Sequence, residues 1–556
     1  MTKLSDLAWW QKTIAYEIYP KSFYDTAAQG SGTIAGITKK LDYLSSLGVG
    51  AIWITPCYKS PMVDNGYDVE DYREIDPSFG TMADMDALIA KGNELGVKVV
   101  MDLVFNHTSD QCPWFKASRM SRDNEYADWY IWRDALPDGS APTNWRSIFG
   151  GSAWAWCAER QQYYLHTFAP QQPDLNWENP NVRKALIDIA NFWVNKGVGG
   201  FRIDAITYIK KPAMFVDGLA DGEDGMCSVH AATANTPGIL DFLHEFKAAV
   251  RDGHDIFMVG EANGVAADEL GAWVGEQGVF DMLFEFSHTH IPMGEAEVWC
   301  RPAQWKLTDL KRVLTASQKN TATNGWYPVF FENHDQPRST VNFFRCVGSV
   351  ADKAKALGTV LLTLRGTPFV MQGEELGYSN RVWKSVSEFD DLQTRSQYDF
   401  ALEEGFTPEE ALAACNRFSR DNARTPMQWD AGKNAGFSDA DSTWLPVHDD
   451  YAQVNVEAEG ADPGSPLSWY RKLAALRASR EELVAGDYQE LMADDEQVFA
   501  FRRQGERSCA VVLANLSNEP ARYDASLVEG MTLLAGTHGK TSVGELRPLE
   551  AVVFGL

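Results

Sequence analysis

The sequence contains no run of about 18 apolar residues, so no membrane-spanning helix is predicted. Its start, Met1-Thr-Lys-Leu-Ser-Asp6, lacks the apolar stretch of a secretion signal. The 8 cysteines (Cys57, Cys112, Cys157, Cys227, Cys300, Cys346, Cys415, Cys509) are scattered and form no CxxC pair, so neither a zinc site nor a disulfide framework is implied. Free thiols and a cytoplasmic location are expected. Positive charge is also scarce. Lys and Arg number 50 against 77 Asp and Glu, a net charge of −27, which argues against nucleic acid or an anionic membrane as partner. A neutral small-molecule substrate suits this balance, and oligomeric state is silent in the letters.

What is present is length and alternation. At 556 residues the chain exceeds one ordinary core, which predicts a barrel-sized domain with smaller appended units. Strand-like runs stand at 14–20, 49–55, 98–105, 200–206, 256–260, 280–286, 327–331 and 368–371. Helical spacing separates them, as in Ile34, Ile37, Leu41, Leu44 and Leu47 before Gly48, and at 82–95, 182–195, 239–250, 307–319 and 354–364. Eight strands alternating with helices predict an α/β fold, a (β/α)8 TIM barrel whose chemistry sits at the C-terminal strand ends. The stretch 107–179, rich in Trp, is too long for a loop and is expected to fold as an inserted substrate-pocket domain. The barrel is assigned to 1–106 and 180–483, with a second insertion at about 374–437, and 484–556 to a C-terminal antiparallel β-sandwich domain.

The organising stretch is Val198-Gly-Gly-Phe-Arg-Ile-Asp-Ala-Ile206. Phe201 and Ile203 point one way, Arg202 and Asp204 the other, and the Gly pair admits a close backbone. Such a face either buries a structural ion pair or presents a carboxylate kept ionised by its neighbour. Other strand ends carry similar cargo: Asn106-His107 after the third, Glu261 after the fifth, and Asn333-His-Asp335 after the seventh. Paired carboxylates without metal-ligand spacing suggest glycosyl transfer, which needs one ionised carboxylate and one protonated carboxyl. Arg202 is expected to keep Asp204 ionised as nucleophile, and Glu261, on the apolar strand Ile256-Phe-Met-Val-Gly260, is suited to keep its proton as acid.

The chain resembles the α-amylase family of retaining glycosidases, glycoside hydrolase family 13, in its oligo-1,6-glucosidase and α-glucosidase branch. The likeness rests on an ordered set: Ala15-Tyr-Glu-Ile-Tyr-Pro20, Ser60 to Asp68, Asp102 to His107, Gln172-Pro-Asp-Leu-Asn176, Gly200 to Asp204, Glu261, Asn333-His-Asp335 and Ala423-Arg-Thr-Pro-Met-Gln-Trp429. The resemblance implies Asp204 as nucleophile, Glu261 as general acid and base, and Asp335 as the carboxylate that grips the sugar 2- and 3-hydroxyls. It implies that His107 and His334 hydrogen-bond the same ring, that Arg202 orients Asp204, and that Asp64, Tyr67 and Arg424 close the non-reducing end of an exo-acting site. Phe149 and Phe168 match aromatic pocket walls, with core packing the competing reading. A small gluco-oligosaccharide or disaccharide is the expected partner, and no cofactor is expected. The competing activities are a sucrose isomerase or transglucosidase, and a non-catalytic carbohydrate-binding relative.

Two departures stand out. The loop after the first strand, which in this branch binds Ca²⁺ through alternating Asp and Asn, reads Asp25-Thr-Ala-Ala-Gln-Gly-Ser-Gly-Thr33, and one carboxylate is too few for a hard cation. No calcium is predicted there. Ala205 follows the nucleophile where α-1,6-specific members tend to have Val, which leans away from strict α-1,6 specificity, while Gln172 to Asn176 leans toward it. His288-Thr-His290 reads as a polar strand end, 536–541 as a turn and Asp494-Asp-Glu496 as a solvated loop.

Overall fold

The computed structural model describes residues 4–556 except 223, 267, 276, 295–297 and 345. The chain makes two compact units, one of residues up to 52 with 91–97 and 286–556, the other of 53–90 with 98–285. Strands β1 (Ile14–Ile18), β2 (Val49–Ile54), β3 (Lys98–Val104), β4 (Gly200–Asp204), β5 (Phe257–Glu261), β6 (Met282–Phe284), β7 (Pro328–Val329) and β8 (Thr367–Met371) form one sheet in the order β6-β5-β4-β3-β2-β1-β8-β7. The ladders β3–β4, β4–β5 and β5–β6 are parallel, as are β1–β8 and β8–β7. Helices α1 (Ile34–Ser46), α2 (Met82–Leu95), α3 (Pro180–Lys196), α4 (Ile239–Val250), α5 (Leu307–Asn324) and α6 (Val350–Thr363) alternate with them, giving the (β/α)8 fold.

Local chemistry explains the boundaries. Thr33 caps α1 by accepting from Gly36 N, and Gly48, at φ +87°, turns the chain out of the helix. Asn179 caps α3 ahead of Pro180, and Gly197 closes it in the left-handed region. Strand β4 stops at Asp204, two residues before its expected end, because Ala205 adopts φ +46° and leaves the ladder. Gly200 is required for contact between strands, since a Cβ there would stand 2.3 Å from Phe257 O. The His288–His290 segment is helical rather than strand-like, with the His288 ring bonded to Phe330 O at 2.9 Å.

Within 107–179, strands 132–133, 162–165 and 154–157 make a small antiparallel sheet over a core that includes Ile131, Trp145, Trp154 and Leu165. At the other end of the chain, after α7 (Pro466–Ser479), strands β9 (Asp487–Leu491), β10 (Val498–Gln504), β11 (Cys509–Asn515), β12 (Thr532–Gly536) and β13 (Ala551–Gly555) form an antiparallel sheet in the order β9-β10-β11-β13-β12. Val498 and Ala500 of β10, with Val511 and Leu513 of β11, bury one face. The opposite face places Arg503 wholly inside, where it donates to Thr363 O at the end of α6 and to the carbonyls of Leu483, Val484 and Gly486. Arg477 of α7 does the same for Leu362, Leu364, Gly366 and Leu483. Burial lowers the Arg477 guanidinium to about 9, a cost met by carbonyls alone.

The loop after β1 is closed by its own carboxylate. Asp25 accepts from Ala27 N at 2.8 Å, Gly30 N at 2.8 Å and the Ser438 hydroxyl at 2.6 Å. Hydrogen donors, not oxygen ligands, face its two oxygens, so this loop does not fit a calcium ion. Thermal melting is therefore expected to be the same with calcium and with EDTA, while Asp25→Ala costs about 1–3 kcal/mol by orphaning three donors; a calcium-dependent shift lost in Asp25→Ala would refute this. Arg503→Met should cost about 2–4 kcal/mol in urea unfolding, since its carbonyl partners lose their donor.

Candidate active site

In the second unit, β4 brings its charged face up against β3 in register, with Arg202 opposite Asp102. Arg202 is 1% exposed, and its Nη1 lies 3.1 Å from both Asp102 oxygens and 2.6 Å from Asp204 Oδ1, while Nη2 lies 2.7 Å from Glu261 Oε2. One guanidinium therefore serves three carboxylates. Asp102 is further held by Trp53 Nε1 at 3.1 Å and the Tyr67 hydroxyl at 3.0 Å. Burial works against the Arg202 charge, but Asp102, Glu261 and Asp204 outweigh it and hold the guanidinium above its ordinary value.

Asp204 behaves differently from the expectation that Arg202 alone would keep it ionised. Burial pushes its carboxyl well up, and against the pull of Arg202 the charges of Glu261 and Asp102 push it further. Glu261 meets the same guanidinium, so the two carboxyl groups stand close together and their repulsion favours the protonated form of Asp204. Glu261 stands at the C-terminal end of β5, and its Oε2 also accepts from Ala205 N at 2.9 Å. The left-handed turn at Ala205 aims that N–H.

The remaining candidates of this unit surround the same strand ends. His107 donates from Nε2 to Tyr67 O at 3.0 Å, and burial pushes its pKa down, so the ring is neutral. Gln172 donates to Asp64 Oδ2 at 3.1 Å and to Tyr67 O at 3.2 Å. The fully buried Asp68 shapes the turn by accepting from Val63 N and Asp64 N, and burial raises it to about 6. Phe168 packs its ring 5.1 Å from His107, 5.7 Å from Phe149 and 5.9 Å from Tyr208. Phe149 and Phe168 are both half-buried.

Asp174, in the Gln172 to Asn176 motif, carried no assigned role, and the structure supplies one. It accepts from Thr167 N and hydroxyl, from Asn106 Nδ2, and pairs with buried Lys211 at 2.7 Å. Lys211 in turn donates to Asn106 Oδ1 and Tyr208 O, tying the segment after β4 to the one after β3. The loop after β4 is further pinned where 227–228 pairs with 145–146 and Arg146 meets Asp221 and Asp224.

In the first unit, His334, Asp335 and Arg424 form their own cluster. Asp335 Oδ1 receives Arg424 Nη2 at 2.8 Å and Arg420 Nη1 at 3.0 Å, and Oδ2 lies 3.2 Å from His334 Nε2. Burial would raise the Asp335 carboxyl, but His334, Arg420 and Arg424 outweigh it and hold it well below its usual range. Its side chain keeps 28% exposure, so the ionised carboxylate is accessible. Arg424 Nη1 is buried and has no partner among the described residues. Sequence reasoning missed Glu17 and Arg420. Glu17 lies 2.6 Å from His334 Nδ1, and although it stood in a quoted motif, nothing in the letters pairs it with a residue more than 300 positions away. Arg420 lies four residues before Arg424, outside the quoted motif, and also grips Asp391 at 2.6 Å.

His334 is opposed by burial, yet Asp335 and Glu17 raise it from 6.5 to about 9, so it is an imidazolium at neutral pH. Its folded value lies above its unfolded one, so the stability it adds is complete below about 6.5 and is lost as pH rises through about 9. Urea midpoints of the protein should fall across that window, and the fall should flatten in His334→Gln.

Comparison with known proteins gives a consistent picture. A family model described as "Alpha amylase, catalytic domain" matches residues 17–486. The chain is 42% identical to the probable oligo-1,6-glucosidase 3 of Bacillus subtilis (strain 168), over 98% of this chain and 99% of that protein. It is 39% identical to the trehalose-6-phosphate hydrolase of Escherichia coli (strain K12), over 98% of each. Among solved structures, the trehalulose synthase MutB of Pseudomonas mesoacidophila MX-45 superposes with a TM-score of 0.92 at 36% identity, covering 99% of each chain.

Proposed function

From the premise that the chain belongs to the α-amylase family of glycoside hydrolases, we propose a retaining, exo-acting α-glucosidase. It would hydrolyse α-1,4 bonds, α-1,6 bonds or both at the non-reducing end of short oligosaccharides or disaccharides. The observation that carries this reading is the Arg202 cluster, in which Asp204 and Glu261 share one buried cation. Retaining chemistry needs two carboxyl groups close together with one proton between them. With that proton on Glu261, Asp204 is left as the carboxylate on Arg202, which attacks the anomeric carbon and forms a glucosyl-Asp intermediate. Glu261 gives its proton to the departing oxygen and then takes one from the incoming water.

Asp335, ionised between two arginines and an imidazolium, suits the grip on the 2- and 3-hydroxyls. The family resemblance assigns His107 and His334 to hydrogen bonds with the sugar. It assigns Asp64, Tyr67 and Arg424 to the non-reducing end, and Arg424 Nη1, without a partner among the described residues, is a donor available to a sugar oxygen. Phe149 and Phe168 wall the ring. We assign 107–179 to the substrate-pocket domain, 1–106 and 180–483 to the barrel, and 484–556 to the β domain. The eight free cysteines, six of them buried, suit a reducing cytoplasm, and no helix among the described residues is long and apolar enough to cross a membrane.

Time-resolved proton NMR with isomaltose, maltose, sucrose and trehalose 6-phosphate in parallel tests the reading. Glucose released first as the α-anomer, with Asp204→Asn and Glu261→Gln slower by at least about 10³-fold, is the expected result and ranks the linkages. Initial β-glucose would overturn retention. A new disaccharide from sucrose would move the activity to that of the isomerases, and sugar binding without turnover would make this a binding protein.

A further inference from the structure

Glu332 takes no part in the proposed chemistry, yet it is 1% exposed and every oxygen is used. Oε1 accepts from Ser339 N at 2.7 Å and the Ser339 hydroxyl at 2.6 Å, and Oε2 from Arg338 Nη1 at 2.9 Å. These bonds close the segment 332–339, which carries His334 and Asp335, onto itself. Inside it, Asn333 Oδ1 accepts from Asp335 N at 2.8 Å. Arg338 is wholly buried and donates also to three carbonyls: Gln372 beyond β8 at 2.9 Å, Asn422 at 3.2 Å and Ala423 at 3.0 Å. The last two immediately precede Arg424, which is itself 2.8 Å from Asp335. One guanidinium thus joins the segment carrying Asp335 to the segment carrying its arginine.

At neighbouring Glu374, burial and the Glu332 carboxylate push the carboxyl well up and disfavour its charged form. A buried Arg–Glu pair gains little net stability, since desolvation offsets its attraction. Its value here lies in geometry. We propose that Glu332 and Arg338 are positioning residues for Asp335, a brace that sets where this carboxylate stands when it grips the ring hydroxyls. The proposal rests on the role given to Asp335 above.

The test compares 4-nitrophenyl α-glucoside with its 2-deoxy analogue, which lacks one hydroxyl that Asp335 would hold. Glu332→Gln is expected to lower kcat/KM on the full glucoside by about tenfold to a hundredfold and on the 2-deoxy substrate by severalfold less, in the same sense as Asp335→Asn. Ser339→Ala, which removes one donor to Glu332, should give the same pattern at smaller amplitude and serves if Glu332→Gln does not fold. If Asp335→Asn discriminates between the substrates and the Glu332 and Ser339 variants lower both equally, or neither, the brace is structural only and the proposal fails. If Asp335→Asn itself shows no discrimination, the role of Asp335 fails first and takes the proposal with it.

Discussion

A single buried guanidinium organises the catalytic strands of the second unit. Arg202 has no access to water, so its charge must be met inside the protein, and three carboxylates meet it. The excess of negative charge has a consequence: with three acids around one buried cation, full ionisation is unfavourable, and the Asp204 carboxyl is pushed well up. A retaining mechanism needs one protonated carboxyl beside an ionised one. In the proposed reaction, the interaction that holds β3, β4 and β5 in charge register also brings that pair together.

The cluster around Asp335 has the opposite balance. Two arginines and an imidazolium face one half-buried carboxylate there and hold it well below the usual carboxylate range. In the proposed reaction, a group that attracts hydroxyl protons and a developing positive charge benefits from staying ionised, whereas the Asp204–Glu261 pair exchanges a proton. The two environments differ in the count of opposite charges as well as in exposure.

Support behind these groups comes from residues that touch no proposed substrate position. Asp174 with Lys211, Asp68 in its turn, and Glu332 with Arg338 each close a loop by saturating a buried carboxylate with fixed donors. Loops at strand ends are free to vary in shape, so a barrel that hosts chemistry on them must fix them with such contacts. At the far end of the chain, Arg477 and Arg503 fix the C-terminal sheet in the same manner, using carbonyls in place of carboxylates.

Much of this protein was legible from its letters. Hydrophobic periodicity is a local property, so eight strands, the helices between them, and the cap at Gly48 follow from neighbouring residues, with strand ends off by a residue or two where turns such as Ala205 leave the ladder and helix ends off by up to five. The carboxylates at strand ends were also readable, because barrel topology assigns strand ends to chemistry before any coordinates are known. The sequence by itself therefore determined the fold class, the family and the candidate residues. Only the tertiary structure decided the upward push on the Asp204 carboxyl, the partnership of Glu17 with His334, the work of Asp174, Lys211 and Arg420, and the closure of the Asp25 loop by Ser438. Each of these depends on distances between residues remote in the chain, and electrostatic energy falls with distance in space, which the order of residues does not record.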